Sequence, residues 1–147
     1  MKLLVFCLFA VCCCSLANSS PKERTLQRKK LQEILIQLND VRQSLQNDKQ
    51  QQMLNTPENI EDCCSLSALR CFRANLHVKF NMTEKKHSKF HRSLSNPITE
   101  KGLDFCNSPN GKSTCPDCLS HPMTDATEFF NRLETLIQMG ISRLSMN

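Results

Sequence analysis

Two cysteine spacings constrain this chain more than anything else in it: Cys64-x6-Cys71 and, far downstream, Cys115-Pro116-Asp117-Cys118. Seven residues is nearly two helical turns, so Cys64 and Cys71 fall on one helix face, about 10 Å apart along the axis. An extended three-residue step covers a similar distance, roughly 10 Å. Two disulfides could therefore staple a CxxC loop along one side of a helix. Spacing alone leaves open which cysteine of one pair meets which of the other. A framework of this kind suits a small secreted ligand better than an enzyme.

Disulfides need an oxidising compartment, and the N-terminal residues speak to that. Met1 and Lys2 give a short positive start, and Leu3 to Cys14 is an almost unbroken apolar run. That run is too short to span a bilayer, which takes about 20 residues. Ser15-Leu16-Ala17 supplies small residues before a cleavage point, so residues 1–17 read as a secretory signal peptide. Residues 18–147 then form one domain of 130 residues, secreted and extracellular. Loss of residues 1–17 removes Cys7, Cys12, Cys13 and Cys14 and leaves six of the ten cysteines. An even count in a short exported chain implies bridges. Loss of Lys2 takes the basic residues from 19 to 18 against 14 acids, a net charge of about +4. So mild a charge does not by itself imply a nucleic-acid partner.

With no Trp, no Tyr and only three Gly, the chain lacks the content of an all-β sandwich. The apolar pattern is helical. Leu31, Ile34, Leu35, Leu38, Val41 and Leu45 recur at steps of three and four, which predicts a helix from Lys22 to about Gln46. Ile36 falls off that stripe. Thr56-Pro57 has the chemistry of a helix start, a hydroxyl cap followed by proline. Ile60, Cys64, Ala68, Cys71, Phe72 and Leu76 then line one face of a second helix.

Phe90 and Leu94 mark a weaker third helix, which Asn96-Pro97 should end. Residues 97–123 read as a long loop held by disulfides. Asp125 and Glu128 stand at cap and third-residue spacing before a fourth helix lined by Phe129, Phe130, Leu133, Leu136, Ile137, Ile141 and Leu144. Gly140 interrupts it, either as a weak last turn or as a close approach by a partner. Four amphipathic segments predict an all-α fold, a four-helix bundle. The two long connections suit an up-up-down-down arrangement.

Two chemistries are set aside and a third stays as an alternative. A thiol–disulfide active site at Cys115 and Cys118 wants the first cysteine at a helix N-terminus. Here the next helix starts too late. Zinc would need Cys64 and Cys71 as its second pair, a spacing wider than usual. His77, His87, His91 and His121 form no ligand-spaced cluster. No enzyme, cofactor or metal site is expected. The basic segment 85–92, with residues 28–30, could meet a glycosaminoglycan. A basic secreted glycosaminoglycan-binding protein is thus a distant alternative function. Asn81-Met82-Thr83 is an N-glycosylation acceptor, and Asn18-Ser19-Ser20 matches the same pattern.

Cys64-x6-Cys71-Phe72, then Cys115-x2-Cys118, nine residues and Glu128-Phe129 resemble the short-chain four-helix cytokines of the interleukin-2, -15 and -21 group. Thr114 to Cys118, the approach from Pro57-Glu58, and Glu128 to Ile141 carry the same resemblance. It covers nearly all of residues 18–147, with 77–113 similar mainly in length.

The resemblance implies a secreted monomer with no membrane insertion. It would bind a private receptor chain and the common gamma chain to activate JAK–STAT signalling in lymphocytes. In the family the first and third helices face the private receptor, and the fourth with part of the first faces the gamma chain. By position, Arg28, Lys29, Lys30, Glu33 and Gln37 would meet the private receptor, and Gln138 and Ile141 the gamma chain. Lys30 and Ile36 depart from the polar and acidic residues the family has there.

The family pairing implies Cys64–Cys115 and Cys71–Cys118, each closing about 50 residues and worth about 4 kcal/mol in the chain-entropy view. Cys63 and Cys106 lie beyond that pattern. Two free thiols are unfavoured in an oxidising compartment, so a third bridge between them is expected.

Overall fold

Ser20-Pro21-Lys22-Glu23 opens the first helix. The Ser20 hydroxyl accepts from the Glu23 amide at 3.2 Å, with proline at the first helical position. In this computed structural model the described residues are 20–45, 52–106 and 114–146. The signal peptide expected at 1–17 and the Asn18 acceptor pattern lie outside them. Helix α1 runs from Pro21 to Leu45 and buries Leu31, Ile34, Leu38 and Val41, the expected stripe.

The second helix differs from expectation at its start. Thr56 caps nothing: its hydroxyl donates to the Leu54 carbonyl at 3.0 Å and pairs with the Thr124 hydroxyl. Leu54–Asn55 (β1) and Met123–Thr124 (β2) form a two-stranded antiparallel ribbon, Leu54 opposite Thr124. That ribbon holds the chain extended where a helix was expected. Asn59 then takes a positive φ of 51°, and Glu61 is extended. A 3-10 turn at Asp62–Cys64 leads into α2, Ser65–Lys79. Of the expected stripe, Ala68, Cys71, Phe72 and Leu76 are buried within α2, and Cys64 is buried just before it.

Helix α3, Lys85–Leu94, buries Phe90 and Leu94 as its spacing predicts. Asn96-Pro97 does end it, but the same pair starts another helix. The Asn96 side chain accepts from the Ile98 amide at 2.9 Å, Pro97 takes the first helical position, and α4 spans Pro97–Gly102. Residues 97–123 are therefore not one long loop. Thr99 secures the junction, its buried hydroxyl donating to the Ser93 carbonyl at 2.7 Å. Cys118–Ser120 makes a second 3-10 turn. Helix α5, Ala126–Ser145, is capped as expected, with Asp125 accepting from the Glu128 amide at 2.8 Å.

The fold is all-α apart from the short ribbon, with five α-helices among the described residues. Helix α1 packs most extensively on α5, and also on α3 and α4. Between them lies one core of Leu31, Ile34, Leu38, Phe72, Phe129, Leu133 and Ile137 with their neighbours. Phe129 stands edge-on to Phe72 at 5.1 Å and to Phe130 at 5.5 Å. Ion pairs tie the elements outside the core: Arg42 to Glu134, Arg73 to Glu100 and Arg143 to Asp62.

Gly140 serves this core. A Cβ there would stand 2.6 Å from Leu103 Cδ2 and 2.8 Å from Leu31 Cδ1. The close approach is thus internal, and Gly140 is buried rather than offered to a partner. Gly140→Val should destabilise the fold by about 2 kcal/mol through overpacking. Gly140→Ala should be nearly neutral, because the roughly 1 kcal/mol helix-propensity gain offsets small movements of two leucine tips. Urea unfolding midpoints of the two variants would check this.

Candidate contact surfaces and the disulfide staples

Three bridges fix the side of α2. Cys64 joins Cys115 with Cα atoms 5.5 Å apart, Cys71 joins Cys118 at 5.2 Å, and Cys63 joins Cys106 at 4.3 Å. The parallel pairing that the family implies for the first two is the one present, and the crossed alternative is not. Cys63 and Cys64 are chain neighbours, yet they hold segments 9 residues apart, Cys106 and Cys115. Asn75, one turn beyond Cys71, donates to the Cys71 carbonyl at 3.0 Å and to Cys118 Sγ at 3.3 Å. Cys115 and Cys118 are each bonded to α2's end of the chain and not to each other, so they do not form the internal disulfide of a redox CxxC site. Because the six described cysteines are all disulfide-bonded, none of them offers a thiolate to a metal.

A cleft of about 150 Å³ opens beside the Cys64–Cys115 bridge, lined by Glu58, Glu61, Ser67, Thr114 and His121 among others. Ligand pockets usually run from about 300 Å³ upward. The cleft is too small to lead a functional argument, and the outer helix faces come next.

On α1 the five expected contact residues do not form one patch. At 100° per residue, Lys29, Lys30, Glu33 and Gln37 share an arc of about 100°, while Arg28 lies some 100° beyond Lys29. Lys29 is exposed, and Lys30 pairs with Glu33 at 3.6 Å. Gln37, expected on the open polar face, is buried at 8% exposure. Its Nε2 donates to Glu33 Oε1 at 3.2 Å, so it supports Glu33 from the rim of the core. Two open apolar side chains join the arc, Leu26 at 54% exposure within it and Ile36 at 65% about 20° outside it, beside Lys29. Leu26 was not singled out by periodicity. Its signal was an apolar residue ten positions from Ile36 and likewise off the core stripe.

On α5, Gln138 is exposed, and its Nε2 donates to Glu134 Oε1 at 3.3 Å. The other oxygen of Glu134 accepts from Arg42 Nη2 of α1 at 2.7 Å. Ile141 is half-buried and packs against the core edge. The two expected residues are thus neighbours of different kinds, one an open amide and the other a partly covered apolar side chain.

Asn81 is exposed in the turn before α3, its Oδ1 accepting from both the amide and the hydroxyl of Thr83. The basic segment divides. His87 is buried, with Nδ1 by the Asn81 carbonyl at 3.2 Å and Nε2 3.4 Å from the Ser44 hydroxyl. Lys85, Lys86, Lys89 and Arg92 are exposed.

His91 stacks near His77, ring centroids 5.3 Å apart. Partial burial, then the neighbouring His77 and Arg73, hold its pKa below the ordinary value of 6.5. The fold therefore favours neutral His91. That contribution is present above about pH 6.5 and is lost as pH falls through the lowered value. His91→Gln should flatten the decline of the urea midpoint below pH 6.5 by a small amount, since the site is largely solvated.

No family model matches the chain, and comparison with curated proteins finds no match. Among the described residues, no helix is long and apolar enough to cross a membrane.

Proposed function

We propose that this chain is a secreted signalling ligand, a short-chain four-helix cytokine of the interleukin-2, -15 and -21 group. Its motifs are most similar to interleukin-21, with interleukin-15-like and interleukin-2-like ligands as the nearest alternatives. The observation that carries the reading is the staple: a CxxC segment bound in parallel to two cysteines seven residues apart, Cys64 at the entrance to α2 and Cys71 within it.

The ribbon supports the topology. One strand lies in the connection between α1 and α2, the other in the connection leading to α5. Their pairing brings the two long connections side by side, as two overhand crossings in an up-up-down-down bundle require. In this reading α1, α2, α3 and α5 are the four bundle helices, and α4 is an extra turn in the last crossing. Three disulfides fit an oxidising, extracellular setting.

The ligand acts by holding two receptor chains together and performs no catalysis. The outer arc of α1, with Lys29, Glu33, Ile36 and Leu26, meets the private receptor, and Arg28 and Lys30 flank it. Gln138 and Ile141 on α5 meet the common gamma chain. The charged α1 arc sets orientation and on-rate, and the exposed apolar pair supplies desolvated contact. The test is binding of the secreted protein to the ectodomains of candidate private receptors, then STAT phosphorylation in lymphocytes bearing the gamma chain. Specific binding to one private chain and gamma-dependent signalling support the proposal. Absence of binding across the group's receptors would sink it.

A further inference from the structure

Helix α3, which the resemblance also turns toward the private receptor, carries a strongly basic outer face to which the proposed receptor contacts assign no residue. Lys85, Lys89 and Arg92 stand at positions i, i+4 and i+7, within an arc of about 60° and along roughly 10 Å of helix. Lys86 lies beside them, and all four are exposed. The core side of α3 is occupied by Phe90 and Leu94, on the opposite face. Within Lys85–Leu94 there is no acidic residue.

Of the twelve other described cations, five are matched, and the unmatched ones are not gathered as four on one short helix without an acid. Lys30, Arg42, Arg73, Arg132 and Arg143 each pair with a carboxylate. Among the described residues none of the four α3 cations does. Glu84, the acid nearest in sequence, faces the buried His87 at 3.7 Å. A row of four unneutralised cations repels itself and attracts an extended polyanion.

We propose that the outer face of α3 docks a sulfated polysaccharide, its anionic groups spaced along the Lys85–Lys89–Arg92 row. The surface favours that occupant over other polyanions. A nucleic acid would want aromatic side chains for base stacking, yet the chain has no Trp or Tyr, and Phe90 is buried. An anionic bilayer would want an apolar side to insert, yet the apolar residues of α3 are in the core. The six oxidised cysteines also place the protein where sulfated polysaccharides occur and cytosolic polyanions do not.

The test uses protein secreted from eukaryotic cells and heparin as the probe, in the absence of any receptor. Failure here is therefore separate from failure of the cytokine reading. Heparin should bind with a strong salt dependence, and N- and O-desulfated heparin should not. Replacing Lys85, Lys89 and Arg92 together by alanine should weaken binding roughly 100-fold, at a factor of about five per charge. A control of equal charge loss at Lys22, Arg24 and Lys101 should weaken it less than about threefold. Equal losses in both variants would overturn the proposal, because net charge alone would then explain binding. So would equal affinity for desulfated heparin, for duplex DNA or for phosphatidylserine vesicles.

Discussion

Exchanging all six bridging cysteines for serine should unfold the protein, with a loss of roughly 10 kcal/mol in the chain-entropy view. The total is not three equal parts. The first bridge closes a loop with a sequence separation near 50, as Cys64 and Cys115 do at 51, and contributes about 4 kcal/mol. Once it stands, each further bridge closes only a small ring. Cys71–Cys118 adds a ring of the eight residues 64–71 and the four residues 115–118. Cys63–Cys106 adds a ring of residues 63–64 and 106–115, again twelve.

A ring of that size is worth about 3 kcal/mol. Any single double-serine variant should therefore lose about 3 rather than 4 kcal/mol and stay folded if the parent has ordinary domain stability. Urea unfolding of the three double variants and the sixfold variant measures this. A folded sixfold variant, or one bridge whose loss alone unfolds the chain, would contradict it.

Gln138→Asp should lower STAT signalling by a few hundred-fold while leaving the fold and private-receptor binding intact. The side chain is exposed, and one of its two amide hydrogens is donated to Glu134, which Arg42 anchors. Its carbonyl oxygen and its second amide hydrogen are thus left to meet the proposed partner. Aspartate at this place brings a charge into a contact that closes over it, a cost of about 3–5 kcal/mol when uncompensated. Within the free protein it adds only a like-charge neighbour four residues from Glu134, worth a few tenths of a kcal/mol.

Charge reversal at Lys29 and Glu33 should act on the other receptor, lowering private-chain affinity first. Titrations against each receptor chain separate the two effects. A folded Gln138→Asp protein that signals at full strength would remove Gln138 from the site.

Periodicity made α1 and α5 readable almost to the residue, because each buries one continuous stripe against the other. The start of α2 was not readable. Thr56-Pro57 has the chemistry of a cap, and the competing use of the Thr56 hydroxyl comes from Thr124, 68 residues away. Asn96-Pro97 misled differently: the residues that stop one helix are equally good at starting the next, and only the position of α4 against α1 decides between the two. Gln37 and Gly140 misled for a shared reason. A polar type suggested an outward role for Gln37, and neither reading of Gly140, a weak last turn or a partner's approach, included the core. The neighbours that cover Gln37 and crowd Gly140 belong to the tertiary packing. The proposed contact residues rest on family resemblance; Ile36 stood off the core stripe in the sequence already, and the exposed Leu26 shows only in the fold.

The adjacency of Cys63 and Cys64 has a consequence for how this chain can vary. The two ends of segment 106–115 are pinned to neighbouring residues, so its stem is fixed whatever its length. Doubling the residues between the pins adds only about 0.6 kcal/mol of closure cost. Insertions, deletions and foreign peptides should be tolerated there while α1, α2 and α5 keep their register. This makes the segment a natural grafting site, where a tag or second binding epitope could be carried without disturbing either proposed receptor face.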